Sequence, residues 1–202
     1  MTIIDELDFE YAGSEKKEVQ ERVLDATTAS DNLRQLQSFY DSLIEDLDSL
    51  WSPTLLRDDE FSSRDFELLI GALWDWKGYD IFVTPPVDDG GVDVIARDDN
   101  KSTFIEAKNT SLGNRVSVRE VRNLYAVASN PEALDYEILE GVDTISEIII
   151  ITTSDLTQQA TRFLKSVSSS TSFDVIALQS DDIVYELNKS PLSPENWREY
   201  IE

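Results

Sequence analysis

Two short apolar segments separated by six polar residues constrain this chain most. The first is Val92-Asp93-Val94-Ile95-Ala96 and the second is Thr103-Phe104-Ile105-Glu106-Ala107-Lys108. Between them lies Arg97-Asp98-Asp99-Asn100-Lys101-Ser102, rich in residues that favour turns. The pattern predicts a β-hairpin. A turn centred on Asp99-Asn100 pairs Ala96 with Thr103, Ile95 with Phe104 and Asp93 with Glu106. Period-two alternation then sets Asp93, Ile95, Phe104, Glu106 and Lys108 on one face. Carboxylates directly opposite each other on a ladder stand with Cβ atoms roughly 5 Å apart and repel. A divalent cation between them turns that repulsion into coordination.

Composition narrows the chemistry. The chain has no Cys and no His. Disulfides, thiolate zinc sites, Ser-His triads and imidazole acid-base catalysis are therefore excluded. Any catalysis must come from carboxylates, Lys, Arg, hydroxyls and bound metal, and hard oxygen donors select Mg2+ or Mn2+. An acid followed a dozen residues later by acid-x-Lys suits a metal-dependent phosphodiesterase. The net charge of −24 opposes a nucleic-acid substrate. A salt-rich, halophilic cytoplasm accommodates it, because molar salt shortens the Debye length to about 3 Å. Residues 97 to 122 also hold six basic groups against four acids, so the window around the acid pair is locally positive.

At 202 residues, 41% of them hydrophobic, the chain is long enough for one ordinary domain and an appendage. Apolar runs such as Ile148-Ile149-Ile150-Ile151 fall far short of the roughly 20 residues of a membrane helix. The first residues lack the basic and apolar regions of a signal peptide, so a cytoplasmic location and no membrane partner are expected.

Residues 1–60 form an acidic helical extension in this reading. Leu33, Leu36, Tyr40, Leu43, Leu47 and Leu50 make a short heptad seam. It fits an amphipathic helix docked on its own domain, or a dimerisation or partner-binding arm. Ser62 and Asp65 form an Asp variant of a capping box, Phe61 and Phe66 fit a hydrophobic staple, and the helix they start ends at Gly78. Glu67 borders the buried stripe of that helix. Ile81–Thr84 reads as a strand, and Val116–Ala128 as a helix with Val118, Val121, Leu124 and Tyr125 inward. Arg115, Arg119 and Arg122 stack on one helical face, a solvated row or a phosphate-tracking ridge. Glu147–Thr152 is a buried strand, Asp155–Val167 a helix, Phe173–Leu178 a strand, and a last helix starts at Asp181 or Asp182. This order predicts an α/β sandwich around a mixed sheet over residues 61–190, followed by a tail over 191–202.

With these elements placed, residues 61 to 188 resemble the Mrr-type restriction endonuclease domain of the PD-(D/E)xK nuclease superfamily. Phe66-Glu67 followed by Trp76-Lys77-Gly78-Tyr79 resembles the opening helix. Asp89-Gly90-Gly91-Val92-Asp93-Val94-Ile95-Ala96 resembles the Asp-Gly-Gly-hydrophobic-Asp strand, the most specific piece. Ile105-Glu106-Ala107-Lys108 takes the acid-x-Lys position, and Ile149–Ser154 with Ala160 resembles the later strand and helix. Many Mrr-type members carry Gln where this chain has Glu106, the commoner acid of the wider superfamily. Leu178-Gln179-Ser180-Asp181 also departs from the Asp-Gly expected after that strand.

The resemblance implies a restriction-endonuclease-like fold and a Mg2+-dependent (or Mn2+-dependent) DNA endonuclease acting on foreign or modified DNA. Asp93 and Glu106, the Ala107 carbonyl and, directly or through water, Glu67 would hold the metal. Lys108 would stabilise the attacking hydroxide and the transition state. Lys101, Arg115, Arg119 and Arg122 would contact DNA. A homodimer is expected, since one such site cuts one strand. Two other readings are a Holliday-junction resolvase, which resembles the same core, and a non-enzymatic acidic DNA mimic. Metal binding that depends on Asp93 and Glu106 separates a nuclease from the mimic.

Overall fold

Strands apolar on both faces build the main sheet of this protein, and among the described residues four amphipathic helices cover it. The computed structural model describes residues 36–39, 50–58, 61–86, 91–99, 101–110, 113–134, 136–142, 144–169 and 171–200. The chain divides into Met1–Ser49 and Leu50–Glu202. In the first unit the described residues, 36–39, are helical. The heptad seam otherwise lies outside the described residues, apart from Leu50 in the second unit.

In the second unit, helix α1 (Ser63–Trp76) starts at the expected place. The Ser62 hydroxyl accepts the Asp65 N–H, and the Asp65 carboxylate accepts the Ser62 N–H, so two orphan donors are satisfied reciprocally. Strands β1 (Asp80–Val83), β2 (Val94–Arg97) and β3 (Ser102–Lys108) follow. A two-residue strand β4 (Arg115–Val116) leads into helix α2 (Val118–Ala128). Strand β5 (Glu147–Thr152), a two-residue strand β6 (Asp155–Leu156), helix α3 (Gln158–Val167), strand β7 (Asp174–Leu178) and helix α4 (Ser180–Leu187) complete the order. The reading of Asp155–Val167 as one helix is corrected at its start: Asp155 and Leu156 pair with Arg115 and Val116, and Thr157 caps the helix instead.

The main sheet has the order β1-β2-β3-β5-β7. β1, β2 and β3 are antiparallel neighbours, and β5 and β7 continue in parallel beside β3. The hairpin register is the expected one, with Ala96 opposite Thr103 and Ile95 opposite Phe104. The Asp98 N–H donates to the Lys101 carbonyl across the turn.

Each face of the sheet has its own core. Val94, Ala96, Ile105, Ala107, Ile149 and Ile151 pack with Phe66, Ile70 and Leu73 of α1 and with Ile183 and Leu187 of α4. Ile95, Phe104, Ile148 and Ile150 pack on the other side with Val121 and Leu124 of α2 and Ala160 of α3. Each large apolar side chain so buried contributes about 1.5–3 kcal/mol. Gly71 lets α1 approach the sheet closely: a Cβ there would stand 2.8 Å from Cγ2 of Val83.

The segment boundaries differ from the sequence reading on both flanks. Residues 50–58 belong to the second unit, where Trp51 and Leu56 are core residues. The Trp51 indole N–H donates to the Leu192 carbonyl at 2.7 Å, and the Trp51 N–H donates to Asn188 Oδ1 at 2.8 Å. The segment expected as a separate tail is part of the same core, with Leu192 and Trp197 buried. Both tryptophans pack edge-on against Phe61, with ring centroids at 6.1 Å for Trp51 and 5.7 Å for Trp197. Among the described residues no helix is long and apolar enough to cross a membrane.

Candidate active site

β3 carries Glu106 and Lys108 at its C-terminal end, and Asp93 immediately precedes β2. Asp93 and Glu106 are 4% and 3% exposed. Removing two carboxylates from water costs several kcal/mol per ion, a cost that a neighbouring cation offsets. Here the Lys108 ammonium is that cation, 2.6 Å from Glu106 Oε1 and 3.5 Å from Asp93 Oδ2. Burial opposes charge on Lys108. Attraction to Glu106 and then to Asp93, with hydrogen bonds to both, outweighs burial and raises its pKa well above the ordinary lysine range. Lys108 is therefore cationic at every physiological pH.

The acids meet by a different route from the one the alternation predicts. The ladder ends at Val94 opposite Ile105, one rung short of an Asp93–Glu106 pair. The Asp93 N–H donates to the Ile105 carbonyl at 2.8 Å, and Asp93 Oδ2 accepts the Ala107 N–H at 2.7 Å. Val92 joins the same core as Ile95, three residues on, so the alternation breaks between them. A local break of this kind re-aims a side chain beside a strand end. Asp93 is thereby stapled to the backbone of the acid-x-Lys strand, a more rigid arrangement than two opposed carboxylates.

Gly91 serves the same corner. Its φ is +89°, and a Cβ there would stand 3.3 Å from Glu106 Oε2 and 3.5 Å from Cβ of Asn123 on α2. Gly90 and Asp89 lie outside the described residues. Thr84, fully buried at the end of β1, holds the other side: its hydroxyl donates to the Val92 carbonyl at 2.7 Å, and its N–H donates to the Asp93 carbonyl at 3.0 Å. Arg64 extends this network, donating to the Thr84 carbonyl at 2.7 Å and to Glu67 Oε2 at 2.8 Å.

Asp93, Glu106, Ala107 and Lys108 therefore come together. Glu67 is linked toward them through Arg64 and Thr84, and among the described residues no three carboxylates converge on one point. Lys101 is at the opposite end of β3, roughly 20 Å of strand away from Lys108. Arg115 pairs with Asp155 at 3.7 Å, Arg119 is exposed, and the Arg122 guanidinium lies over the Phe163 ring, 5.2 Å from its centroid.

Several supporting residues carry no local sequence signal. Thr84 is one. Beyond Lys108, the Thr110 N–H donates to the Thr153 hydroxyl at 3.0 Å, and the Thr110 hydroxyl bonds that of Ser154 at 2.5 Å. Arg57 fixes this loop from outside, donating to the Thr153 carbonyl at 2.5 Å and to the Ser180 hydroxyl at 2.7 Å. Only the parallel pairing of β3 with β5, which sets Lys108 beside Thr152, brings these residues together.

The arrangement offers two buried oxygen-donor side chains and a fixed cation at one strand end. Mg2+ binds through one or two carboxylates and retains several waters, so this donor set fits it. A family model for the Mrr catalytic domain, described as restriction endonuclease, matches residues 59–185. No curated protein matches the chain. The fold is similar to that of the DNA modification-dependent restriction endonuclease AspBHI, with 21% identity and a TM-score of 0.50 over 74% of this chain and 37% of that one. The MspJI restriction endonuclease in complex with a 27-mer oligonucleotide gives 14% identity and a TM-score of 0.44, over 90% of this chain and 35% of that one. A protein of unknown function, AF1548, gives 17% and 0.41, over 57% and 58% of the two chains. The chain thus spans less than two-thirds of the length of each.

Proposed function

Because the chain belongs to the Mrr-type restriction endonuclease family, we propose that it hydrolyses DNA phosphodiester bonds at Asp93, Glu106 and Lys108. One observation carries this reading: two buried carboxylates converge on a single ammonium at a strand end. Asp93 and Glu106, with the Ala107 carbonyl, would hold Mg2+ or Mn2+, and Glu67 is an outer contributor tethered by Arg64. When bound, such an ion stabilises charge on the phosphate and makes a water more acidic. The residues of the chain do the rest. The Ala107 N–H fixes the Asp93 carboxylate, and Gly91 leaves room for that of Glu106. Lys108, held beside both carboxylates, presents positive charge to the attacking oxygen and the phosphate.

The substrate is DNA that a restriction system meets as foreign, with base modification as the discriminating feature to test. One site cuts one strand, so a homodimer cuts both. The acidic composition suits a cytoplasm of high salt, where surface carboxylates are screened. The test is cleavage of modified and unmodified plasmid with Mg2+ or Mn2+, from low to molar KCl, by wild type and Asp93→Ala. Nicking or linearisation by wild type that Asp93→Ala lacks supports the reading. Equal cleavage by both removes Asp93 from the mechanism, and no cleavage in any condition removes the nuclease.

A further inference from the structure

α2 and α3 lie side by side on one face of the sheet and enclose an open groove of about 440 Å³. Val118, Arg122, Gln159, Arg162, Phe163 and Ser166 line it. Two arginines from different helices thus face one cleft, although forty residues separate them in the chain. Phe163 holds one of them, with Arg122 stacked on its ring and Tyr125 packed edge-on against it at 5.8 Å. A guanidinium fixed on an aromatic face is oriented in advance and loses less freedom on meeting an anion. Among the described residues neither Arg122 nor Arg162 has a carboxylate partner within ion-pair distance.

The charge around the groove is unusual for this chain. α2 and α3 together carry Arg119, Arg122, Arg162 and Lys165 against Glu120 alone, in a protein of net charge −24. Glu120 is engaged in capping α2 through the Ser117 N–H. α2 also borders the candidate active site. Asn123, next to Arg122, borders Gly91, and Gly91 borders Glu106. Arg115, at the head of α2, lies on the short ladder beyond the ends of β3 and β5.

We propose that the α2–α3 groove seats the phosphodiester backbone of duplex DNA flanking the bond to be cut, with Arg122 and Arg162 as its two phosphate contacts and Gln159 as a neutral hydrogen-bonding partner. This assignment rests on the nuclease reading for its substrate and extends it to α3, which no sequence motif marks. A polyanion with regularly spaced charges satisfies two arginines on parallel helices. The groove wall supplies polar contacts of the kind that position a backbone without reading bases.

The experiment is equilibrium binding of a fluorescent DNA duplex in EDTA, from 50 to 200 mM KCl, by wild type and by Arg122→Gln/Arg162→Gln. Each phosphate contact contributes about −0.9 to the slope of log K against log salt. The double variant should bind more weakly at 50 mM, and wild type should lose about ten-fold more affinity than the variant between the two salt concentrations. Arg122→Lys/Arg162→Lys, which keeps the charges, should recover most of the slope. Equal affinity and slope for wild type and the Gln variant overturn the assignment, as does a wild type that binds no duplex. A Gln variant unchanged toward DNA but altered in mass by light scattering makes the groove an interface between copies, and the assignment falls. The two readings fail separately: wild type that binds through the groove but never cuts removes the hydrolysis, and wild type that cuts while the Gln variant binds normally removes the groove.

Discussion

The two helical layers of this molecule cover one sheet and differ in charge. α1 and α4 carry Asp65, Glu67, Asp75, Asp181, Asp182 and Glu186 against Arg64 alone. α2 and α3 carry four basic groups against one acid. Both layers bury comparable apolar stripes, so the contrast lies in outward positions that packing leaves undetermined. A net charge of −24 is a sum over surfaces and describes neither face. Helix layers on opposite sides of a sheet stand roughly 20 Å apart, from packing distances of 8–10 Å each. The Debye length at physiological salt is about 8 Å, so acids on one layer are largely screened from an anion on the other. An acidic chain can thus present a face to DNA without rebalancing the whole surface.

The largest predicted effect lies at the junction between the basic layer and the sheet. Lys108→Met should lower the cleavage rate by about 10²–10³, the cost of removing one preorganised stabilising group. It should also destabilise the metal-free protein by about 3 kcal/mol, near the lower bound for breaking a buried pair, because the Lys108 side chain keeps 30% exposure. Saturating Mg2+ should narrow that deficit in thermal unfolding, since a second cation then meets the carboxylates. The sign with pH follows from the raised Lys108 pKa. Its stabilisation is fully present below the unfolded lysine value of about 10.4 and is lost as pH rises through the folded value. The gap between wild type and Lys108→Met should therefore hold from pH 7 to 9. A gap that closes across that window contradicts the raised pKa.

Gly91→Ala comes next. The positive φ alone costs about 1–2 kcal/mol, and Glu106 must give way by a few tenths of an ångström. Denaturant unfolding should show the loss, together with slower cleavage. On the acidic layer, Ser62→Ala should cost about 1 kcal/mol of stability through the lost cap and leave duplex affinity unchanged. The smallest effect belongs to Asp75→Asn/Asp181→Asn, two exposed acids of that layer. Stability should stay within about 0.5 kcal/mol and duplex affinity within about twofold at physiological salt. A large gain in affinity would erase the distinction between the layers.

The hairpin was legible in the sequence because its signals agree. Alternation, turn chemistry and the acid-x-Lys spacing all select the register that pairs Ala96 with Thr103. The capping box at Ser62 was legible for the same reason, since its donors and acceptors are three residues apart. The break at Asp93 was not, because it depends on a hydrogen bond from Ala107 across the strand pair. Glu67 borders a buried stripe in the sequence, and in the fold its carboxylate pairs with Arg64, three residues before it. Lys101 shares a basic window with Lys108, but a strand separates the ends of that window in space. Arg162 and Phe163 reach Arg122 only because parallel strands bring α2 and α3 together, and no local pattern encodes that meeting. The anchoring of Trp51 by Asn188 and Leu192 is equally non-local.

Single-turnover cleavage of a defined duplex, with Mn2+ titrated against wild type and Glu106→Gln, tests the paired carboxylates most directly. Wild type should cleave only with the divalent ion, and Glu106→Gln should lose about 10²–10³ in rate at equal duplex binding. Equal rates for the two proteins, or cleavage that needs no divalent ion, would contradict metal binding by the pair.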